Sequence, residues 1–230
     1  MHIKNTTKYK KISANKFAEY VDAKPSRQET IIKQRISEKG HGPQYYTLAK
    51  SAICRLMNTE EEALEETYEN EKASITAHAG YGANPRKLIT NNLLALESFI
   101  LIQKQGLPSG EYRKPTAKLS PKDRDGLIIS NSVDAEIIVK QRQPKYGAVK
   151  LYFSKEHSLK EFSGTLLATL LSEDFENVFG ARNVARSSVI VIDVFNMKIH
   201  YAPCANKRNL REIDATAKAI ISRWHYLTDL

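Results

Sequence analysis

The chain has only two cysteines, Cys54 and Cys204, and they lie far apart in apolar surroundings. Two distant cysteines support neither a disulfide framework nor a cysteine-based zinc site. Long hydrophobic runs are also lacking, because the richest apolar stretch, residues 93–102, is interrupted by Glu97 and is too short to span a bilayer. Residues 1–4 include polar and charged residues where a signal peptide needs an apolar core. We therefore expect a cytoplasmic protein with no membrane partner.

Motifs that depend on histidine, serine or glycine are lacking as well. The six histidines are scattered without the spacing of metal ligands, so each is better interpreted as a surface or core residue. No motif accompanies a serine or cysteine that would act as a nucleophile. Gly80 and Gly82 lack the lysine and serine of a phosphate-binding loop. Charge and strand patterning remain as the informative features.

Positive charge is what the sequence has in excess. Lysine and arginine number 35 against 26 acidic residues, which gives a net charge of +9 and an isoelectric point near 9.4. This balance favours anionic partners, and nucleic acid is the first candidate because neutralised phosphates supply much of the affinity. DNA is the form we expect. A basic protein without such a partner is the alternative.

Periodicity and composition divide the chain into three segments. Residues 1–105 combine a basic N-terminal arm with short helices whose apolar residues recur at three- and four-residue steps. Residues 106–126 contain three prolines and little apolar content, which predicts a basic linker or long loop. Residues 127–230 predict a mixed β-sheet with flanking helices. The fold class is therefore α/β, of the α+β kind, with one or two domains.

Within the third segment, the elements follow from the spacing of apolar residues. Residues 127–130 are a candidate strand, and residues 188–195 are apolar on both faces, as in a central strand. Residues 198–201 are expected to pair beside that strand. The apolar positions of residues 209–226 recur at helical spacing and predict a final packed helix.

Two helical stretches of the first segment carry opposite charges. Arg27, Lys33 and Arg35 lie on a short basic helix, which suits either a DNA-reading unit or a plain solvated face. Residues 60–71 are rich in glutamate, so this helix will not lie on DNA. It is a candidate contact for a basic protein partner, and the alternative is a solvated outer face.

The pattern of residues 133–155 predicts a β-hairpin, in which two strands rich in apolar residues flank a turn at residues 143–147. Side chains alternate across a strand, so Asp134 and Glu136 fall on one face of the first strand. Lys150 projects from one face of the second strand by the same rule. Two acids and a lysine can therefore meet over one patch of sheet.

The same hairpin carries a basic cluster interleaved with tyrosines. This combination can grip phosphates and stack on exposed bases, and the alternative is a solvated hairpin tip. The cluster comprises Lys140, Arg142, Lys145, Lys155 and Lys160, with Tyr146 and Tyr152.

The order of predicted elements in residues 86–195 is similar to the core of the PD-(D/E)xK restriction-endonuclease-like superfamily. That core has a helix, a three-stranded meander, a crossover helix and a fourth strand. The resemblance gives Asp134 the place of the first acid and Lys150 that of the lysine, whereas Ala148 stands where the second acid is expected. Glu136 is then the candidate replacement for that acid.

If the resemblance extends to activity, it implies a magnesium-dependent endonuclease. Asp134, Glu136 and Lys150 would be catalytic, and Asp134 and Glu136 would hold the metal, because magnesium prefers oxygen ligands. Because one acid is replaced, the leading expectation is a nucleic-acid-binding protein on a degenerate nuclease-like scaffold, as an accessory factor of a phage-defence or mobile-element system. An active nuclease and a non-catalytic assembly subunit are the alternatives.

Overall fold

The computed structural model describes residues 10–37, 45–78 and 84–228. In these ranges, seven α-helices and eight β-strands are present. The helices are α1 (Ala14–Asp22), α2 (Pro25–Ser37), α3 (Thr47–Leu56), α4 (Leu64–Ala77), α5 (Pro85–Gln103), α6 (Glu161–Phe179) and α7 (Lys207–Thr228). The strands are β1 (Lys10–Ser13), β2 (Glu111–Arg113), β3 (Lys122–Arg124), β4 (Leu127–Ser130), β5 (Ala135–Val139), β6 (Lys145–Tyr152), β7 (Val184–Asp193) and β8 (Lys198–Tyr201).

A five-stranded mixed sheet with the order β2-β5-β6-β7-β8 forms the centre of the fold. Strands β6 and β7 are parallel, and every other neighbouring pair in this sheet is antiparallel. Parallel neighbours need a long crossover connection, which α6 supplies between β6 and β7. Residues 147–152 of β6 and 188–193 of β7 are buried on both faces, and β7 accordingly carries an apolar run at residues 189–192.

Helices cover both faces of this sheet and form two hydrophobic cores. Val149 and Leu151 of β6 pack in the core beneath α3, α4 and α5. Ala148 and Tyr152 alternate with them and pack in the core beneath α1, α2, α6 and α7. The last helix buries an apolar stripe with spacings of four and three residues, which is the pattern of one helix face. The stripe consists of Ile213, Ala217, Ile220 and Trp224.

A smaller sheet with the order β1-β4-β3 joins the N-terminal strand β1 to two strands from the middle of the chain. Residues 127–130 form a strand as predicted, but β4 pairs with β1 and β3 rather than preceding β5 in the main sheet. Residues 106–126, predicted to be a linker, contribute β2 and β3 to the two sheets. Phe17 from α1 shares a core with Leu167 of α6, so the N-terminal region packs on the C-terminal part rather than apart from it.

The chain is therefore a mixed α/β protein with helices flanking its sheets, and the predicted fold class is confirmed. From α5 onward, the main elements follow the order α5, β2, β5, β6, α6, β7. Strands β3 and β4 of the smaller sheet stand between β2 and β5, and β2 takes the place in the main sheet that was predicted for residues 127–130.

None of the helices in the described ranges has the length and apolar character that crossing a membrane requires.

Candidate functional site

Asp134 lies at the beginning of β5 and is buried. Its Oδ2 accepts a hydrogen bond from the main-chain N–H of Leu151 at 2.6 Å, and its Oδ1 forms an ion pair with Lys50 of α3. The thiol of Cys54 donates to its main-chain oxygen at 3.2 Å. The carboxylate therefore ties the start of β5 to β6 and to α3.

Lys150 of β6 is only 3% exposed. Its Nζ donates to the main-chain oxygen of Ser132 at 3.0 Å and to the Ser132 hydroxyl at 3.1 Å. Burial lowers the pKa of Lys150 from 10.5 to about 8, and the nearby charge of Asp134 opposes this effect only in part. Among the described residues, no carboxylate forms an ion pair with this ammonium. The Lys150 ammonium is therefore stabilised mainly by its hydrogen bonds to the two oxygens of Ser132.

Asp174 of α6 adds a third buried charge on this side of the sheet. Its Oδ2 accepts from the Asn131 amide at 3.0 Å, and its Oδ1 is 4.0 Å from the Nζ of Lys122. Burial raises the pKa of Asp174 to about 6, although Asn131 and Lys122 favour its charged form. The charge of Asp174 also acts on Lys150. Asp134, Lys150 and Asp174 therefore form one buried electrostatic group.

Glu136 of β5 is fully buried, and protein donors occupy its carboxylate. The main-chain N–H groups of Thr116 and Ala117 each donate to Oε1 at 2.6 Å, and Arg113 Nε donates to Oε2 at 2.8 Å. Burial alone would raise the pKa of Glu136, but these donors outweigh it and hold the pKa below its usual value. The carboxylate thus anchors the segment between β2 and β3 to the main sheet.

These contacts do not fit the magnesium site that the resemblance implies. The carboxylate of Asp134 is directed to Lys50 and Leu151, whereas that of Glu136 is directed to Arg113 and residues 116–117. Ala148, at the position of the second acid, is fully buried in the core. In the part of the chain that the structure describes, no group of three or more His, Cys, Asp or Glu side chains could hold a metal ion. We therefore derive no metal-dependent step from these residues.

Three of the predicted nucleic-acid-binding residues lie together at the hairpin end of the main sheet. Lys140 and Arg142 are exposed in the connection between β5 and β6, and Lys145 begins β6. Arg182 is exposed in the turn before β7, whose first residue, Val184, is paired with Tyr146. We call Lys140, Arg142, Lys145 and Arg182 the hairpin-end surface.

Acidic side chains near this surface are mostly neutralised. Glu111 of β2 forms an exposed ion pair with Lys140 at 3.8 Å, a contact that is weak in water. Glu176 of α6 receives a hydrogen bond from Arg186 at 2.5 Å. The hairpin end therefore retains an excess of positive charge.

The tyrosines of the predicted cluster are not open for stacking. Tyr146 stacks on Phe179, with ring centroids 4.2 Å apart and planes at 15°. The guanidinium of Arg113 lies 5.9 Å from the centroid of the same Tyr146 ring. Tyr152 is buried, and its hydroxyl donates to the main-chain oxygen of His157. Tyr146 therefore already has a stacked ring and a guanidinium as neighbours, and Tyr152 lies in the core.

Lys155 lies at the other end of β6, separated from Lys145 by the length of the strand, about 25 Å for eight residues. It does not join the hairpin-end surface. Its Nζ donates to Asn91 Oδ1 at 2.7 Å and lies 5.2 Å from the centroid of the Phe195 ring. The predicted cluster is thus divided between two ends of the sheet.

The basic helix α2 lies away from the hairpin, on the side of α1 and α7. Arg27 Nη2 is 2.5 Å from the buried carboxylate of Glu19, and Lys33 forms an exposed pair with Glu29 at 3.8 Å. Arg35 is half-buried. These residues do not form a common surface with Lys140 and its neighbours.

The predicted acidic helix comprises a short turn, Glu61–Ala63, followed by α4. Glu71 is buried and forms an ion pair with Arg55 of α3. Glu69 is 3.4 Å from Lys72 on the same helix. The remaining glutamates of this stretch are exposed, namely Glu60, Glu61, Glu62, Glu65 and Glu66.

Comparison with known proteins adds no assignment. No protein-family model matches the chain, and no curated protein is significantly similar to it. A functional hypothesis must therefore rest on the geometry and charge of the residues themselves.

The sequence pattern did not reveal several residues that shape these sites. Arg113 lies in the segment that was predicted to be a linker. The stretch Glu111-Tyr112-Arg113 alternates between charged and aromatic residues, as a short strand does, and only Tyr112 is buried in the structure. Lys50 is separated from Asp134 by more than eighty residues, and no local signal could connect them. Asp174 stands between Glu173 and Glu176, and no local signal marked it as the buried acid of the three.

Proposed function

We propose that the protein binds nucleic acid through the hairpin-end surface. One observation supports this proposal most directly: Lys140 and Arg142 lie in the connection that leads to Lys145, and Arg182 lies in the turn before the paired strand β7. Cations grouped at this spacing can contact successive phosphates of one backbone and release the condensed counterions.

The rest of the chain is consistent with this role. The net charge of +9 produces a long-range attraction to polyanions in addition to the local contacts. Among the residues that the structure describes, Lys140 forms an ion pair only with the exposed Glu111, which a phosphate can replace at little cost. Because Tyr146 already contacts Phe179 and Arg113, we expect binding at this end to use phosphate contacts rather than base stacking.

The proposed scaffold is similar to nuclease cores in the order of its elements, but we do not propose nuclease chemistry. Asp134, Glu136 and Lys150 are each occupied by protein groups, and Ala148 supplies no carboxylate. A binding protein on a degenerate nuclease-like scaffold fits these contacts better than an active enzyme. An accessory role in phage defence or in a mobile element is the biological context that this scaffold suggests.

Equilibrium binding to short fluorescein-labelled DNA over a series of salt concentrations tests the proposal. We expect binding at low salt and a linear fall in the logarithm of the association constant as the logarithm of salt concentration rises. Absence of binding at low salt would reject the proposal, as would an affinity that does not change with salt. Parallel incubation with magnesium and circular DNA should give no cleavage beyond that of a Glu136→Gln variant.

A further inference from the structure

Three aromatic rings form a cluster at the carboxyl ends of the parallel strands β6 and β7. Phe153 directly follows β6, and Phe195 lies two residues beyond β7. Tyr46, at the beginning of α3, stacks on Phe153 with ring centroids 4.8 Å apart and planes at 11°. The ring of Phe195 meets Tyr46 edge-on at 5.5 Å. All three residues are only half-buried, so the cluster presents part of its aromatic surface to solvent.

Polar groups next to this aromatic cluster complete a possible binding surface. Lys155 is exposed, with its ammonium 5.2 Å from the Phe195 centroid and hydrogen-bonded to Asn91. The exposed ammonium can move to an anion without leaving a buried partner unpaired. Asn91 offers an amide with both a donor and an acceptor. Aromatic surface, an amide and a cation thus occur together.

A buried asparagine fixes the position of Tyr46. Asn92 of α5 accepts a hydrogen bond from the N–H of Ala49 at 2.7 Å and donates to the main-chain oxygen of Tyr45 at 2.8 Å. These bonds hold the first turn of α3 against α5. The ring is therefore presented by a rigid element, which reduces the entropy lost when a ligand binds.

The place of the cluster in the fold also points to a ligand. The loops that follow the parallel strands β6 and β7 leave the sheet at the same edge, which brings Phe153, Lys155 and Phe195 together. Aromatic rings beside a cation are the features with which proteins hold unpaired nucleotides, because every base has a face that stacks.

We propose that the cluster of Tyr46, Phe153 and Phe195 stacks on an unpaired base, while Lys155 contacts the phosphate of the same nucleotide. This inference rests on the proposed nucleic-acid function and specifies its substrate class. The preferred partner is a single strand, or a duplex with a single-stranded overhang. Phosphate contacts at the hairpin-end surface and stacking at the aromatic cluster are then separate parts of one interaction.

Binding of oligo-dT tests the proposal with two matched variants. Phe195→Leu keeps an apolar side chain in the cluster but removes an aromatic face. Phe162→Leu makes the same change at an aromatic residue of α6 that is 44% exposed and lies outside the cluster. Loss of one stacked base should weaken oligo-dT binding by Phe195→Leu about tenfold, whereas Phe162→Leu should bind like the wild type. Lys155→Ala should also weaken oligo-dT binding and flatten its salt dependence.

A cross-linking measurement locates the contact without relying on a variant. Oligo-dT that contains 5-iododeoxyuridine is irradiated with the wild-type protein, and the modified peptides are identified by mass spectrometry. We expect cross-links at Tyr46, Phe153 or Phe195. Cross-links confined to other residues would overturn the inference, as would equal oligo-dT binding by wild type and Phe195→Leu. If the wild type binds duplex DNA but not oligo-dT, only this inference fails; if it binds neither, the proposed function fails with it.

Discussion

Asp134 and Lys150 lie across from each other at one end of the β5–β6 pair, yet they are not ion-pair partners. Asp134 forms its ion pair with Lys50, and Lys150 donates its hydrogen bonds to Ser132. The resemblance to nucleases would join these two side chains in one catalytic site. The observed contacts instead make each of them part of the support for the hairpin, which leads to predictions about stability.

Replacing Lys150 with methionine should not destabilise the protein at neutral pH. Burial lowers the pKa of Lys150 to about 8. The charged ammonium is therefore less stable in the folded state than in the unfolded state, where water solvates it. A shift of this size corresponds to about 3 kcal/mol, and methionine fills a similar volume without a charge. We expect Lys150→Met to unfold at equal or higher urea concentration than the wild type.

The pH dependence of the free energy of unfolding shows whether Lys150→Met acts by removing a buried charge or only by changing the packing of the core. Between pH 8 and 10.5 the unfolded state binds more protons at Lys150 than the folded state, so the wild type should gain stability as pH rises through this window. Lys150→Met should lack this gain. Parallel pH profiles for the two proteins would contradict the proposed cause.

Asp174→Asn should stabilise the protein at neutral pH. The pKa of Asp174 is raised from 3.8 to about 6 in the folded state. Its stronger proton binding therefore stabilises the folded state fully below pH 3.8, and this stabilisation is lost as pH rises through about 6. Asparagine can still accept from Asn131 but carries no charge to desolvate. We expect a gain of about 1–3 kcal/mol at neutral pH and little gain in acid, measured by urea unfolding. A loss of stability at neutral pH would contradict this account.

Glu136→Ala should destabilise the protein severely. The change leaves Arg113 and the main-chain N–H groups of Thr116 and Ala117 without their shared acceptor in a buried place. Such a loss typically costs about 3–5 kcal/mol of folding free energy. The matched control is Glu62→Ala, on the exposed acidic stretch, which should unfold like the wild type. A Glu136→Ala protein as stable as this control would show that the carboxylate does not anchor residues 116–117.

Acid should weaken the same anchor. The donors around Glu136 hold its pKa below the ordinary value for glutamate. The stability that the Glu136 carboxylate contributes is therefore present above that ordinary pKa and is lost as pH falls through the lowered pKa of the folded state. Glu136→Gln should therefore be less sensitive to acid than the wild type in this range. Chemical denaturation at a series of acidic pH values checks this difference.

Local patterns predicted the elements well where apolar periodicity was strong. Residues 198–201 form β8 as predicted, and the predicted helix 209–226 is α7, Lys207–Thr228. Ser13, a residue type favoured at helix N-caps, precedes α1, and its hydroxyl accepts from the N–H of Lys16. The short strand β2 was missed because its three residues stand between prolines and carry two charges.

Long-range partners could not be predicted from the same patterns. Side-chain alternation correctly placed Asp134, Glu136 and Lys150 on the hairpin, but it gave no information on what faces them. Lys50 and Arg113 reach these acids from distant elements, and β1 pairs with β4 across more than a hundred residues. A strand pattern specifies which face a side chain takes, whereas packing of the whole chain specifies its neighbour.

The central claim, that the hairpin-end surface binds nucleic acid, is tested most directly by the salt dependence of a charge-removal variant. The variant replaces Lys140, Arg142 and Lys145 with alanine. The control removes the same charge from the exposed start of α7, at Lys207, Arg208 and Arg211. We predict that the hairpin variant loses at least about tenfold in DNA affinity at low salt and that its logarithmic salt slope falls by about 2–3, while the control keeps the wild-type slope. Equal slopes for the hairpin variant and the wild type would contradict the account.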